Sequence, residues 1–374
     1  MGKLDWSITN TTTGVNLTSS LLSFNYDYGR QSYMDNYAGS NLILTLRNNN
    51  YQEQSFSLND EIRLLATNSG GAYDIYDQNF WVSEIQYNDY NVTAGNTITV
   101  ICADAMNRLG RALGGGKVIS SAFLSAQLTE MQASSNWPPG ITTTTFGSTD
   151  QLGNFNINES YANSVNIQMA TEKGILSYAY KSVLTCIART YMYQVYTSTK
   201  SWNRVQSGSD VVYSNFRRIG LGQNFVNDAV VEDAQGYEPT QTYTNTDSTS
   251  LYGVNGITTS IYAYGSVAPK GLAEWIANSQ SDTAALRYEI IVDDYANTDN
   301  ALQTLAYLFG TVFVGVQPGH VTKRLKYRVN AYDYDVLTVV EGWSLRATPD
   351  GTEFVFYLSP ITNYQFFTLN SSTL

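Results

Sequence analysis

The 374-residue sequence contains a single histidine, His320. Any catalytic scheme built on imidazole would have to run through that residue, which excludes most Ser-His-Asp and Cys-His arrangements. The two cysteines, Cys102 and Cys186, are too few for a disulfide framework or a four-cysteine zinc site. Charged residues make up only 14% of the chain, against the roughly 25% usual for globular proteins. No stretch approaches the ~18 consecutive apolar residues of a spanning helix. Met1-Gly2-Lys3-Leu4-Asp5-Trp6 is followed by no apolar run, so no signal peptide is expected, and the chain is read as made in a cytoplasm with reduced cysteines. The Asn-x-Ser/Thr triplets at Asn10, Asn16, Asn91, Asn158 and Asn370 then count as chance matches in a chain rich in Asn and Thr.

Basic residues are also short. Against 32 acidic side chains there are 21 basic ones, a net charge of −11. Arg217-Arg218 and Lys323-Arg324 are the only basic doublets. No basic stripe exists for gripping nucleic acid or an anionic membrane.

What is present is a 43% hydrophobic composition and 29 tyrosines. The length and apolar content suit one large domain or two to three ordinary ones. Tyrosine buries ring area while keeping its hydroxyl paired, so the surplus reads as core, barrel wall and subunit interface. Leu42, Leu44 and Leu46 alternate with Ile43, Thr45 and Arg47, and Ile98, Val100 and Cys102 alternate with Thr97 and Thr99. Such period-two runs predict half-buried strands, with two more at 58–64 and 80–85. Leu124, Leu128 and Met131 predict a helix that ends before Trp137-Pro138-Pro139. Residues 141–160 read as loop. Val183, Leu184, Ile187, Ala188 and Tyr191 predict a second helix, with Tyr193 and Val195 strand-like after it. In the last third, one helix is expected after Pro269, with Leu272, Trp275 and Ile276 on its face. Strands are expected where Tyr327, Val329 and Ala331, and then Phe354, Phe356 and Leu358, alternate. No short-period repeat is found.

Several motifs fail on inspection. Gly114-Gly115-Gly116-Lys117 is not a phosphate loop, because Arg111 stands where the first glycine is required and Val118 where the magnesium-binding hydroxyl is required. It reads as a flexible joint. Gly220-Leu221-Gly222 lacks the third glycine of a dinucleotide fingerprint, since Phe225 occupies that place. His320 reads as an exposed turn residue after Pro318-Gly319. Asp293, Asp294, Asn297 and Asp299 lack the spacing of a calcium loop and read as a solvated loop and helix cap, with metal binding there left open. No cofactor and no metal site is expected. No carboxylate pair stands out for glycoside hydrolysis.

The order of several segments along the chain resembles bacteriophage minor tail proteins and the tail-tip, or baseplate, hub proteins. Gly29-Arg30-Gln31-Ser32, followed by an alternating strand ending at Arg47-Asn48, is similar to their opening. Asp60 lies in a segment like their second strand, Trp81 in one like their third, and Asp104 in Cys102-Ala103-Asp104-Ala105, like their fourth. Further on, Asn227 falls in a strand segment of the family, and Ser248, Tyr252 and Gly253 in a Ser-x-x-x-Tyr-Gly motif shared with hubs. In that motif Val254 or Asn255 stands where arginine is usual. Gly342 and Pro360 mark the final hairpin. The matches cover residues 1–108 and 224–360.

The resemblance implies a mainly β chain with an α+β middle region and two small tail-tube-like β-barrels. The corresponding units are 1–108 (first barrel), 109–220 (mixed insertion) and 221–374 (second barrel with one helix). It implies a non-enzymatic virion protein of the tail tip. Its expected partners are two further copies in a homotrimer, the tail tube, other baseplate proteins, the tape-measure protein and tail fibres. DNA would be met only in passage, and no membrane is expected. The alternatives are a hexameric distal tail ring, a host-glycan-binding tip protein, and a wall hydrolase working through two carboxylates.

Overall fold

The computed structural model describes residues 4–31, 35–48, 56–71, 74–88, 96–147, 151–178, 181–188, 201–220, 225–264, 267–279, 286–309, 322–329 and 332–360. The first part of the chain is strand-rich: β1 (Asp5–Asn10), β2 (Val15–Asn16), β3 (Leu21–Gly29), β4 (Asn41–Asn48), β5 (Glu61–Thr67), β6 (Asp74–Asn88) and β7 (Asn96–Ala103), then α1 (Ala105–Arg111). The middle alternates β8 (Lys117–Ile119), β9 (Ala122–Phe123), α2 (Leu124–Gln132), β10 (Thr142–Phe146), β11 (Gln151–Leu152), β12 (Phe155–Ile157), α3 (Tyr161–Glu172), β13 (Ile175–Ser177) and β14 (Val183–Ile187). The remainder holds β15 (Ser201–Asn203), β16 (Val211–Val212), β17 (Asn215–Gly220), β18 (Asp228–Asp233), β19 (Gln241–Thr244), α4 (Thr246–Tyr252), β20 (Gly256–Ile261), α5 (Val267–Ser279), β21 (Leu286–Asp293), α6 (Asp299–Phe309), β22 (Thr322–Val329), β23 (Tyr332–Thr348) and β24 (Gly351–Pro360).

Most strands belong to one large sheet, ordered β16-β15-β22-β23-β3-β4-β7-β6-β5-β1-β2, with β24, β21 and β17 branching from β23. The chain is mainly β, as expected. The alternating leucines Leu42, Leu44 and Leu46 of β4 are fully buried, and so are Ile98, Val100 and Cys102 of β7 and Phe356 and Leu358 of β24. Among the described residues the sheet does not close into a barrel by hydrogen bonds, but both halves curl. In the N-terminal half, Trp6 on β1 meets Phe24 on β3 edge to face, with centroids 4.8 Å apart, although those strands lie at opposite ends of the run β3-β4-β7-β6-β5-β1. In the C-terminal half, Phe216 on β17 stacks on Tyr327 of β22 at 4.8 Å, again joining the two ends of a run. Aromatic packing therefore brings each half's edges together where backbone pairing does not.

The middle region departs from the sequence expectations in three places. Val183–Ile187 forms a strand, parallel to β10 and antiparallel to β13, instead of a helix; Tyr191, Tyr193 and Val195 lie outside the described residues. Residues 141–160, expected as loop, supply β10, β11 and β12. Gly114–Gly116 is no slack joint: it is a turn closed by Lys117 N–H donating to the Gly114 carbonyl at 3.1 Å and pinned to β12 by Gly116 N–H donating to Ile157 at 3.0 Å. The final third carries three helices among its described residues, not one. The α2 prediction agrees with the structure, and α5 buries Leu272, Trp275 and Ile276 against the three-stranded sheet β19-β18-β20.

Asp104 links the first half to α1. Its carboxylate caps the helix, accepting from the Asn107 N–H at 2.7 Å, and also accepts from the Ser40 N–H and the Tyr26 hydroxyl, each at 3.0 Å. The chain of polar contacts continues inward through Gln78 to Tyr76. Burial pushes the Asp104 carboxyl from 3.8 up to about 7, against the opposing pull of these donors. The folded protein thus holds a proton between these values that the unfolded chain releases. The stability this group contributes is complete below about pH 3.8 and is lost as pH rises towards 7. Asp104→Asn, which removes the titration, is expected to cost less stability relative to wild type at pH 8 than at pH 5, as read by urea unfolding at the two pH values.

Candidate functional site at the seam between the two sheet halves

The two halves meet on one strand. β23 is seventeen residues long, and one of its edges is shared: Thr322–Val329 of β22 pairs with Tyr332–Val339, and Phe24–Gly29 of β3 pairs with Gly342–Ala347. The hand-over falls at a register shift between Val340 and Gly342 in the pairing with β24. Glu341 is the residue at that bulge, and bulges re-aim a side chain out of the ladder. Its carboxylate accepts from Arg30 Nε at 2.8 Å, with side-chain exposures of 9% for Arg30 and 0% for Glu341. The Arg30 guanidinium also lies 4.4 Å from the centre of the Tyr37 ring and donates to the Asp35 carbonyl at 3.3 Å. A buried charge pair of this kind is costly to form and more costly to halve.

The backbones at the seam lie too close for side chains. Gly29 has φ +77°, and a Cβ there would stand 2.4 Å from the Glu341 carbonyl oxygen; one on Gly342 would stand 2.2 Å from that of Tyr28. Next to them Tyr28 stacks on Trp343 at 3.8 Å and its hydroxyl accepts from the Tyr178 N–H at 3.0 Å. The Tyr178 hydroxyl in turn accepts from Gly29 N–H and donates to the Ala38 carbonyl, so the middle region is tied to the seam.

A cleft of about 550 Å³ opens beside Arg30. Its apolar wall is Met169 from α3 and Leu272, Trp275 and Ile276 from α5, and Lys173 Nζ sits 5.9 Å from the Trp275 ring centre. Asp35 is the single carboxylate among its described lining residues.

The residues singled out in the sequence fall into three groups. Gly29, Arg30 and Gly342 meet at the seam. Asp60, Trp81 and Asp104 gather at one end of the first half: the Asp60 carbonyl accepts from Val82 N–H at 2.9 Å, its carboxylate accepts from Asn10 and Ser57, Trp81 pairs with Ala103, and Arg108 covers the Trp81 ring at 4.3 Å. Asn227, Ser248 and Gly253 form a buried knot. There the Asn227 amide donates to Ser248 Oγ and to the Gly253 carbonyl at 2.7 Å, while its oxygen accepts from Asn255 N–H. Of Val254 and Asn255, the two candidates for the position where the resembled motif has arginine, Asn255 takes part in the knot through its N–H. Gly253 ends α4 at φ +80°, and Tyr252 beside it is half exposed, with its ring edge-on to Phe225. Asn48 and Pro360 stand apart at strand ends. Ser32 and His320 lie outside the described residues. Asp293 closes a turn, accepting from Tyr295 and Ala296 N–H, but Asp294 and Asn297 are buried, not solvated as expected, and the Asp294 carboxylate accepts from the distant Leu4 and Thr352 N–H. No group of three metal-ligating side chains occurs among the described residues. Glu341 was the residue missed. Its signal is a lone acid inside Val339-Val340-Glu341-Gly342-Trp343, a run otherwise fit for burial, which demands a cation nearby.

The fold, two curled sheet halves joined through one long shared strand, is similar along nearly its whole length to solved phage tail proteins. The chain superposes on a tail protein from Neisseria meningitidis MC58 with a TM-score of 0.61 over 96% of both chains at 8% identity. It matches the 43 kDa tail protein of prophage MuSo2 from Shewanella oneidensis with a TM-score of 0.58, covering 97% of this chain and 99% of that one at 11% identity. It also matches an Escherichia coli component of the type VI secretion system, itself described as structurally similar to the T4 tail proteins gp27 and gp5, with a TM-score of 0.51 over 96% of this chain and 76% of that one at 8% identity. No protein-family model and no curated protein matches the sequence.

The seam makes a sharp stability prediction. Gly342→Ala forces a methyl against the Tyr28 carbonyl and is expected to cost about 3 kcal/mol or more, or to leave no soluble protein. Gly14→Ala, at φ +74° with no atom within 4 Å of the added carbon, is expected to cost only about 1–2 kcal/mol. Denaturant melts of the two variants give the comparison.

Proposed function

We propose that this chain is a structural, non-catalytic hub at the tip of a phage tail. The observation that carries the reading is the pair of curled sheets sharing β23, supported by the fold match over nearly the whole length of two tail proteins. In this reading each curled half is one small barrel: residues 1–108 form the first, and the second combines strands of 221–374 with β17, which comes from the end of the 109–220 insertion. Two barrel positions per chain let three copies present six, so a three-fold hub mates with a six-fold tube. The hub closes the distal end of the tube, organises the baseplate around it and opens for ejection. Its partners are two further copies, the tube, the tape-measure protein and other tip proteins or fibres, and its place is the virion tail. The net charge of −11 supports the last part of the role, because a negative lumen repels phosphates and lets DNA slide.

Light scattering and negative-stain imaging of the purified full chain, alone and mixed with its tube protein, test this. The expected result is a three-fold ring. A chain that stays monomeric in both conditions, or assembles as a six-membered ring of single subunits, overturns the three-fold hub, the second in favour of a distal-ring role.

A further inference from the structure

The hairpin of β22 and β23 carries a groove that the assembly role does not use. β24 pairs with β23 only from Thr338 onward, so among the described residues Tyr332–Asp335 and their β22 partners Lys326–Val329 form a two-stranded arm. β15 pairs in parallel with the base of β22 at Ser201 and Trp202. Asn203, Arg204 and Val205 therefore continue alongside the arm. Between them and Tyr327, Arg328, Asp333 and Tyr334 lies an open groove of about 480 Å³, within the range of small-ligand sites.

Its aromatic element is fixed from below. Tyr327 is buried and stacks on Phe216 at 4.8 Å. Tyr334 lies parallel to Tyr327, 5.0 Å away with 6° between the planes, and is 39% exposed. The Tyr213 hydroxyl, donating to the Lys326 carbonyl at 2.7 Å, holds the β22 backbone under this column. An exposed ring held in place loses little entropy when a ligand packs on it. The polar lining is planar and of both signs. Arg204 is exposed on one wall. On the other, Arg328 and Asp333 are 3.7 Å apart with side-chain exposures of 55% and 82%, a pairing loose enough to open towards a ligand.

We propose that this groove binds a pyranose saccharide. The C–H face of a sugar ring packs on Tyr334, and the adjacent guanidinium and carboxylate of Arg328 and Asp333 donate to and accept from neighbouring hydroxyls. A nucleic acid is disfavoured by the carboxylates on the arm and by the charge of the whole chain. A purely apolar ligand is disfavoured by the charged rim. The groove lies on the β22–β23 hairpin and not at the internal seam, and saccharide binding and ring formation are read by separate measurements.

Saturation-transfer NMR on the full-length protein tests the proposal, with glucose, galactose, mannose, rhamnose, N-acetylglucosamine and their trisaccharides as probes. The expected result is transfer to the ring C–H protons of at least one probe, with affinity lowered about tenfold by Tyr334→Ala, retained in Tyr334→Phe, and lowered by Arg204→Ala, an exposed change that leaves packing intact. Tyr252→Ala, on a different exposed tyrosine, leaves binding unchanged. No transfer to any probe, or transfer undiminished in both Tyr334→Ala and Arg204→Ala, overturns it. Neither outcome bears on whether the chain forms rings.

Discussion

The contact between Gly29 and Gly342 is the constraint on which the rest of the architecture hangs. Two strands more than three hundred residues apart in sequence approach until neither position admits a Cβ, and that approach puts the N-terminal and C-terminal halves into one sheet. Arg30 and Glu341 follow from it. The bulge that lets β23 change partners from β22 to β3 turns Glu341 out of the ladder, and a carboxylate there is tolerated only with a cation and donors around it. The glycines set how near the strands come. The ion pair penalises displacement of one half along the other, because sliding by one residue leaves a buried charge unpaired.

Much of this was legible in the sequence, for a definable reason. Where one face of a strand is buried and the other is not, alternation writes itself into the residues, as in β4, β7 and β24. Gly29-Arg30 and Gly342 stood out as motif residues although nothing local reveals that they touch. What the sequence concealed was burial without a pattern. β14 lies between β10 and β13, so Leu184 to Ile187 are all buried and period two vanishes; a short run of that kind cannot be told from a helix segment. α3 conceals itself differently. Its buried face mixes Tyr161, Val165 and Met169 with Ser164, Gln168 and Glu172, and Gln168 donates to Gln127 of α2, so the apolar stripe is diluted by buried polar residues. Closure of the curled halves was hidden for another reason: it rests on single aromatic contacts between strand ends, which leave no periodic trace.

The tyrosines acquire distinct tasks once placed. Tyr26, Tyr28, Tyr76 and Tyr178 are buried, and each uses its hydroxyl to satisfy a polar group that an all-apolar core would leave unmet. Tyr26 and Tyr76 serve the Asp104 network, and Tyr28 and Tyr178 bind the middle region to the seam. Burial pushes their hydroxyls well above the ordinary value for tyrosine, so they stay neutral donors at any physiological pH. In a chain with few charges, neutral hydroxyls do work that ion pairs do elsewhere, and at lower desolvation cost.

This choice of chemistry bears on assembly. In the proposed hub role the chain stays soluble alone and then buries large surfaces against copies and neighbours. Each charged group trapped at such an interface needs a partner or carries a penalty of several kcal/mol. Asn, Thr and Tyr hydrate the free surface and can keep their hydrogen bonds, direct or through water, when it is covered. The low charge density and the net −11 then answer different demands. The first suits surfaces that become interfaces. The second suits the proposed lumen, where a negative surface repels a passing polyanion. Among the described residues the deeply buried charge pair, Arg30 with Glu341, lies inside the chain, at the joint between its two halves.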